Sequence, residues 1–126
     1  MMVSQRIKVV LSLGSNSGDR LKAVNEASVW LQGILLDFQC SAIYETPPLG
    51  HSGADYMNAV CAGLYCGDVA ELERECKEYE RRNGRDEVAR AMNLVPIDVD
   101  IVISDGEILR PKDYRSKFFQ IGYEQL

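Results

Sequence analysis

Two aspartates, Asp98 and Asp100, stand two apart in the run Ile97-Asp98-Val99-Asp100-Ile101-Val102-Ile103. The run is short, rich in β-branched residues and apolar at alternate positions, so it reads as a strand. Residues two apart on a strand share a face, roughly 6.6 Å between Cα atoms. Carboxylates placed this way can converge on hard cations, which prefer oxygen ligands. Two magnesium ions about 3.5–4 Å apart would clamp a polyphosphate and its attacking oxygen. Any half-buried strand shows the same alternation. Two like charges on one face repel, however, and a nearby positive group relieves them. Arg81, Arg82, Arg85 and Arg90 lie within ten residues of one another just upstream. Alone they read as a solvated helix end and loop; beside the carboxylates they point to metal plus polyphosphate.

Other chemistry-bearing residues say less by themselves. Gly14-Ser15-Asn16 lacks the glycine and lysine spacing of a P-loop. Tyr56 and Phe119 read as core aromatics, and His51, in a glycine-containing loop, as an exposed side chain. Cys40, Cys61, Cys66 and Cys76 form no C-x-x-C pair, and His51 is the only histidine. A zinc site is therefore unsupported, and reduced, mostly buried thiols of an intracellular protein are expected.

The elements that must position these residues follow from periodicity. Ile7 to Leu13 reads as a buried strand, followed by turn and N-cap residues from Gly14 to Asp19. Leu21, Val24, Ala27, Ser28 and Leu31 recur at helical spacing as far as Gly33. Leu35 to Glu45 reads as one strand, stopped by Pro47-Pro48, which cannot donate to a ladder. Tyr56 to Tyr65 is a third strand. Asp68 with Glu71 forms a capping-box pattern for a helix whose buried stripe is Val69, Leu72, Cys76 and Tyr79. Glu73 with Lys77 and Glu78 with Arg82 lie four apart on its wet face. A polar loop leads from Asn83-Gly84 to the Asp98 strand, and Ser104 to Glu107 is a hairpin turn returning through Ile108 and Leu109. The order β-α-β-β-α-β plus a hairpin predicts an α+β, ferredoxin-like fold with helices on one antiparallel sheet.

The chain of 126 residues is expected to be one domain, with 46% hydrophobic residues to fill its core. A net charge of −5 argues against a nucleic-acid partner. Met1 to Lys8 has no apolar signal region, and no stretch reaches the length of a membrane span, so a cytoplasmic location without a membrane partner is expected.

Four segments together resemble the 6-hydroxymethyl-7,8-dihydropterin pyrophosphokinase family. They are Leu13-Gly14-Ser15-Asn16, Tyr44-Glu45-Thr46-Pro47-Pro48-Leu49-Gly50, Asp55-Tyr56-Met57-Asn58-Ala59 and Ile97-Asp98-Val99-Asp100-Ile101, in the family's order and spacing. The resemblance covers roughly residues 6 to 120 and implies a magnesium-dependent transfer of pyrophosphate from ATP to the pterin. It implies that Asp98 and Asp100 hold two magnesium ions. Thr46, Pro48 and Leu49 would line the pterin, Asn58 would read its polar edge, and Tyr56 and Phe119 would sandwich its ring. Arg85 would close over the triphosphate, and Glu80 and Lys112 would stand at ATP-contacting positions. The chain departs from the family where a Trp-Gly-Pro-Arg-Thr-type run is replaced by Met92-Asn93-Leu94-Val95-Pro96, so that Val95 takes the place of an arginine. Glu87 replaces a second arginine, Lys112 a histidine, and the chain ends at Leu126, before the family's usual C-terminal segment. The departures fall mainly on ATP contacts. A catalytically impaired relative that binds a pterin, a nucleotide or a protein partner is the second reading, and an unrelated ferredoxin-like module the third.

Overall fold

The structure is a computed structural model that describes residues 5–48 and 53–126. Its central strand, β1 (Arg6–Ser15), is antiparallel to two partners, β4 (Tyr56–Cys66) on one side and β5 (Asp98–Ser104) on the other. Beyond β4 lie β2 (Leu35–Cys40) and the short β3 (Tyr44–Thr46), and beyond β5 lies β6 (Glu107–Ile108). The spatial order β2-β4-β1-β5, with α1 (Arg20–Ile34) and α2 (Val69–Arg82) as crossovers, is the ferredoxin-like arrangement expected.

Both crossover helices start where the sequence places a cap. Asp19 accepts from the Lys22 amide at 3.1 Å, and Asp68 from the Glu71 amide at 2.9 Å. The two helices pack on one face of the sheet. Val24, Ala27 and Leu31 of α1 and Leu72, Cys76 and Tyr79 of α2 meet Val9, Leu11 and Leu13, Ala59 and Cys61, and Val99 and Ile101 in one core. Leu21, expected in the buried stripe, is left exposed. On the wet side of α2, Lys77 reaches Glu73 at 3.8 Å, whereas Glu78 pairs with Arg81 rather than Arg82. All four cysteines are free, two buried (Cys61, Cys76) and two exposed (Cys40, Cys66), so burial is less general than expected.

Two irregularities were not visible in the pattern. The expected strand from Leu35 to Glu45 is interrupted after Cys40, because Ser41 joins the β4 ladder partly through its side chain. The Ser41 amide donates to the Val60 carbonyl, and Ser41 Oγ accepts from the Val60 amide, each at 2.9 Å. In β5 the register slips: Val10 faces Ile103 but Leu11 faces Ile101, which makes Val102 the extra residue of a bulge. Ile103, expected on the same face as Val99 and Ile101, is therefore turned to the opposite face. There Val102, Ile103 and Val60 enclose Phe119 in a second, smaller core.

That second core depends on elements that the sequence pattern does not reveal. The segment after Leu109 forms α4 (Pro111–Tyr114) and α5 (Lys117–Tyr123), and the loop after Gly84 contains α3 (Glu87–Ala91). Helices of four to seven residues carry at most two turns of periodicity, too little to register as a stripe. The hairpin turn is as expected: Asp105 and Gly106 both have positive φ, 49° and 81°, the combination that joins two antiparallel strands with two residues.

Replacing Ser41 with alanine leaves the buried Val60 amide without its acceptor. Unfolding free energy is expected to fall by about 1–3 kcal/mol with no change in denaturant m-value, and urea unfolding checks it. An unchanged midpoint would show that the Ser41 side chain is not part of the ladder.

Candidate active site

The strand register determines which side chains can meet. Gly14 lies opposite Asn58 on β4 and opposite Asp98 on β5; Ser12 lies opposite Val60 and Asp100. Cross-strand partners share a face, so Asn58, Gly14 and Asp98 form one row across three strands, with Ser12 and Asp100 in the next. This is the face opposite α1 and α2. Next to the first row is a cavity of about 140 Å³ lined by Ser12, Gly14, Thr46, Pro47, Tyr56, Asn58, Asp98 and Phe118. Gly14 keeps its floor open: a Cβ there would stand 3.4 Å from the Tyr56 ring and 3.6 Å from Asn58 Oδ1.

Asn58 is buried and oriented by β3. Its Nδ2 donates to Thr46 Oγ1 at 2.7 Å and to the Tyr44 and Tyr56 carbonyls at 3.3 Å each. With the nitrogen committed, Oδ1 faces the Gly14 side as an acceptor. The cavity therefore combines apolar walls with a small number of fixed polar atoms, the usual composition of a small-molecule site.

Asp98 also belongs to a second constellation. Ligand oxygens of Glu80, Asp98 and Asp100 all lie within 4.8 Å of one another. Glu80 comes from α2, where its Oε2 accepts from the Val99 amide at 2.8 Å, satisfying a strand edge that the short β6 does not reach. Among the described residues, three cations balance the three carboxylates. Arg85 donates to Asp98 at 2.7 Å and lies 3.6 Å from Glu80. Lys77 is 3.4 Å from both Glu80 and Asp100, and Arg110 is 3.9 Å from Asp100.

Burial is the largest influence on all three acids. It pushes the Asp100 carboxyl up to about 7, with the charge of Asp98 adding to the effect. Burial also raises Glu80, opposed by the bond from the Val99 amide. In Asp98 burial is outweighed by hydrogen bonding with Asp100 and by the Arg85 guanidinium, and its carboxyl is held below the usual range. A compact set of carboxylate oxygens fits a hard divalent cation such as magnesium, and the proton that Asp100 carries below about pH 7 competes with it.

The candidate residues named from the sequence are brought together in part. Asp98, Asp100, Glu80 and Arg85 converge in the acidic cluster, and Thr46, Tyr56 and Asn58 line the cavity. Phe119 does not line it. Its ring is wholly buried against Val60, Val102 and Ile103 and stacks on Tyr123 at 5.1 Å, while the adjacent Phe118 faces the cavity. Likewise Pro47, rather than Pro48, supplies the proline wall. Leu49 and His51 lie outside the described residues. Lys112 is exposed, and among the described residues no ion pair joins it to the cluster; Arg110 is the cation of that segment which reaches Asp100.

Ser12, Gly14, Phe118, Lys77 and Arg110 were missed. Ser12 and Gly14 could have been found from their two-residue spacing on β1, once that strand was paired with the Asp98 strand. Asn16 is a further supporting residue: buried, it donates its amide to the Val95 carbonyl at 2.9 Å. Its Oδ1 accepts from the Val95 amide at 2.6 Å, and its Nδ2 reaches the Asn93 carbonyl at 3.2 Å. It fixes the divergent segment that leads into β5.

The chain is thus a ferredoxin-like α+β protein with an acidic cluster at the edge of a small cavity. The particular family follows from sequence comparison. Residues 10–124 match the family model described as 7,8-dihydro-6-hydroxymethylpterin-pyrophosphokinase (HPPK), and the chain belongs to that family. It is 31% identical over 114 residues to a "Folate synthesis bifunctional protein" of Chlamydia caviae, covering 85% of this chain and 26% of that protein. It is 30% identical over 105 residues to the "2-amino-4-hydroxy-6-hydroxymethyldihydropteridine pyrophosphokinase" of Aquifex aeolicus, covering 82% of this chain and 65% of that one. The chain thus spans about a quarter and about two thirds of the lengths of these relatives.

The raised carboxyl of Asp100 has a consequence for stability. Its folded pKa, about 7, lies above the ordinary value of 3.8, so the folded state binds an extra proton between these values. This group's contribution therefore falls as pH rises from about 4 to about 7 and is level above that. Asp100→Asn is expected to remove the decline, raising the melting temperature at pH 8 in EDTA by roughly 3 °C, while abolishing stabilisation by added magnesium. Thermal unfolding with and without magnesium checks both. A variant less stable than wild type at pH 8, or still stabilised by magnesium, would contradict the reading.

Proposed function

We propose that this chain transfers a pyrophosphate group from ATP to 6-hydroxymethyl-7,8-dihydropterin, giving the pterin diphosphate and AMP, and that it depends on magnesium. One observation carries the reading: Asp98 lines the cavity and is also one of the three carboxylates of the acidic cluster. A ring in the cavity would thus lie directly beside a polyphosphate held at the cluster. The activity named for the Aquifex aeolicus relative supports the same assignment.

In this reading the pterin lies against Tyr56 and Phe118, with Asn58 Oδ1 accepting from a ring N–H and Thr46 and Pro47 closing the side. Flat heteroaromatic rings gain from aromatic faces, and an amide whose nitrogen donates to three fixed oxygens cannot turn away from its partner. Asp98, Asp100 and Glu80 would hold the metal. Bound there, magnesium supplies charge neutralisation to the phosphates and orients them. Arg85, Lys77 and Arg110 then exchange their carboxylate partners for phosphate oxygens, with Arg85 and Arg110 able to do so through two donors each. The pterin hydroxymethyl oxygen attacks the β-phosphorus and loses its proton to solvent or a neighbouring base. The bond between the β-phosphorus and the α–β bridging oxygen breaks, and AMP leaves. Catalysis is mostly positioning and charge compensation.

The second reading, a relative that binds pterin, nucleotide or a protein partner with little turnover, is favoured by Val95 and Glu87. Neither can pair with phosphate, and a single charge-assisted hydrogen bond to phosphate is worth roughly 1.5–3 kcal/mol. Incubation with ATP, magnesium and 6-hydroxymethyl-7,8-dihydropterin is expected to release AMP, and Asp98→Ala/Asp100→Ala to release none. AMP no higher than in that double variant would reject the enzyme; pterin binding without AMP would establish the second reading.

The two neighbouring phenylalanines separate binding from folding. Phe118→Ala is expected to raise the KM for the pterin about tenfold, with little loss of stability. Phe119→Ala, emptying a wholly buried site, is expected to cost about 3–5 kcal/mol of stability. Steady-state kinetics and urea unfolding of both variants check this, and a reversed pattern would return the cavity wall to Phe119.

A further inference from the structure

Strand β3 is only three residues long, yet it touches both sides of the cavity. Through Thr46 Oγ1 and the Tyr44 carbonyl it orients the Asn58 amide. Its Tyr44 side chain runs to the other side, where the phenol donates to the Phe118 carbonyl and accepts from the Gly122 amide at 3.1 Å. Burial pushes this phenol up to about 12, so it remains a donor at any physiological pH. Gly122 admits it, since a Cβ there would come within 2.8 Å of the Tyr44 oxygen and 2.6 Å of Val60 Cγ2. One further bond, from the Ala42 amide to Gln125 Oε1 at 2.9 Å, ties the same two segments together.

We infer that Tyr44 is a positioning residue for the pterin subsite, latching α5 so that Phe118 keeps its place on the wall of the cavity that Tyr56 also lines. The inference rests on the proposed pterin binding and adds to it the residue that steadies this wall. The other ties of α5 are the Tyr114, Phe119 and Tyr123 ring cluster and the bond from Gln120 Nε2 to the Tyr114 carbonyl, neither of which holds Phe118 itself. The helix is seven residues long, and Ser116 gives its N-terminus no side-chain cap. Phe119, one residue on, is anchored in the second core, but a helix pivoting about that ring would still swing Phe118 out of line. The phenol adds a second point of attachment beside the Phe119 ring, bonding the Phe118 carbonyl and the Gly122 amide, which stand four residues apart on one rung of the helix.

Tyr44→Phe keeps the ring and removes both bonds. Binding of 6-hydroxymethylpterin, followed by its own fluorescence, is expected to weaken about tenfold, while the affinity for magnesium–ATP stays within twofold. Amide exchange at Gly122 is expected to quicken in the variant with no ligand present. Gly122→Ala, which pushes the phenol off its seat, is expected to reproduce both effects. Unchanged pterin affinity in Tyr44→Phe, with wild type binding the pterin, would overturn the latch. Equal weakening of pterin and ATP would show general loosening and overturn it too. Wild type that binds no pterin would instead defeat the proposed function, and the Gly122 exchange rate would then decide the latch alone, unchanged exchange overturning it.

Discussion

The site depends on the register of three antiparallel strands. Because β1 pairs with β4 and β5 at the same residue, Gly14 puts Asn58 and Asp98 on either side of itself. A slip of one residue in either ladder would send one of these side chains to the helix-covered face. The apolar alternation of Val9, Leu11 and Leu13 with Val99 and Ile101 prevents such a slip, since it would expose the core. The hydrophobic core thus sets the geometry of a polar site on the other face of the same sheet. The bulge at Val102 lies just beyond Asp100, where it redirects the strand without disturbing the two aspartates.

Charge compensation is the second requirement. Three carboxylates within 4.8 Å of one another would oppose folding if unpaired, and Lys77, Arg85 and Arg110 come from three different segments to meet them. Each acid also serves the fold or the cavity: Glu80 satisfies the Val99 amide, and Asp98 forms part of a wall. In the proposed reading the same cations would meet phosphate oxygens, so the arrangement that compensates the carboxylates would also suit a polyanion. Buried acids kept near one another are costly to stability and useful for binding metal.

Much of this was readable from the chain, for reasons that can be traced. The long strands and the two capped helices have strong periodicity, and Asp98 and Asp100 stood out because like charges on one strand face need an explanation. Glu80 came only through family resemblance, because no local pattern brings α2 to the open edge of β5, and Arg85 stood in an arginine-rich stretch from which only the resemblance selected it. The differences between expectation and placement share a cause. Phe119 and Phe118 are neighbours on a helix too short to show a stripe, so the side facing the cavity could not be chosen until Val60, Val102 and Ile103 were seen around Phe119. The break at Ser41 and the slip at Val102 arise from ladder bonds between distant residues, invisible in a one-dimensional pattern. Lys77 read as a wet-face cation and Arg110 carried no signal; only the fold makes them neighbours of Asp100.

The central claim is spatial: the acidic cluster and the ring-sized cavity share Asp98 and are filled side by side. Its most direct measurement is the relaxation of pterin ring protons by manganese, used in place of magnesium, in the complex with a non-hydrolysable ATP analogue. The account predicts strong enhancement for the wild type and its loss when Asp98 and Asp100 are replaced by alanine. Pterin that binds with no enhancement in the wild type would place ring and metal apart, and the account would fail.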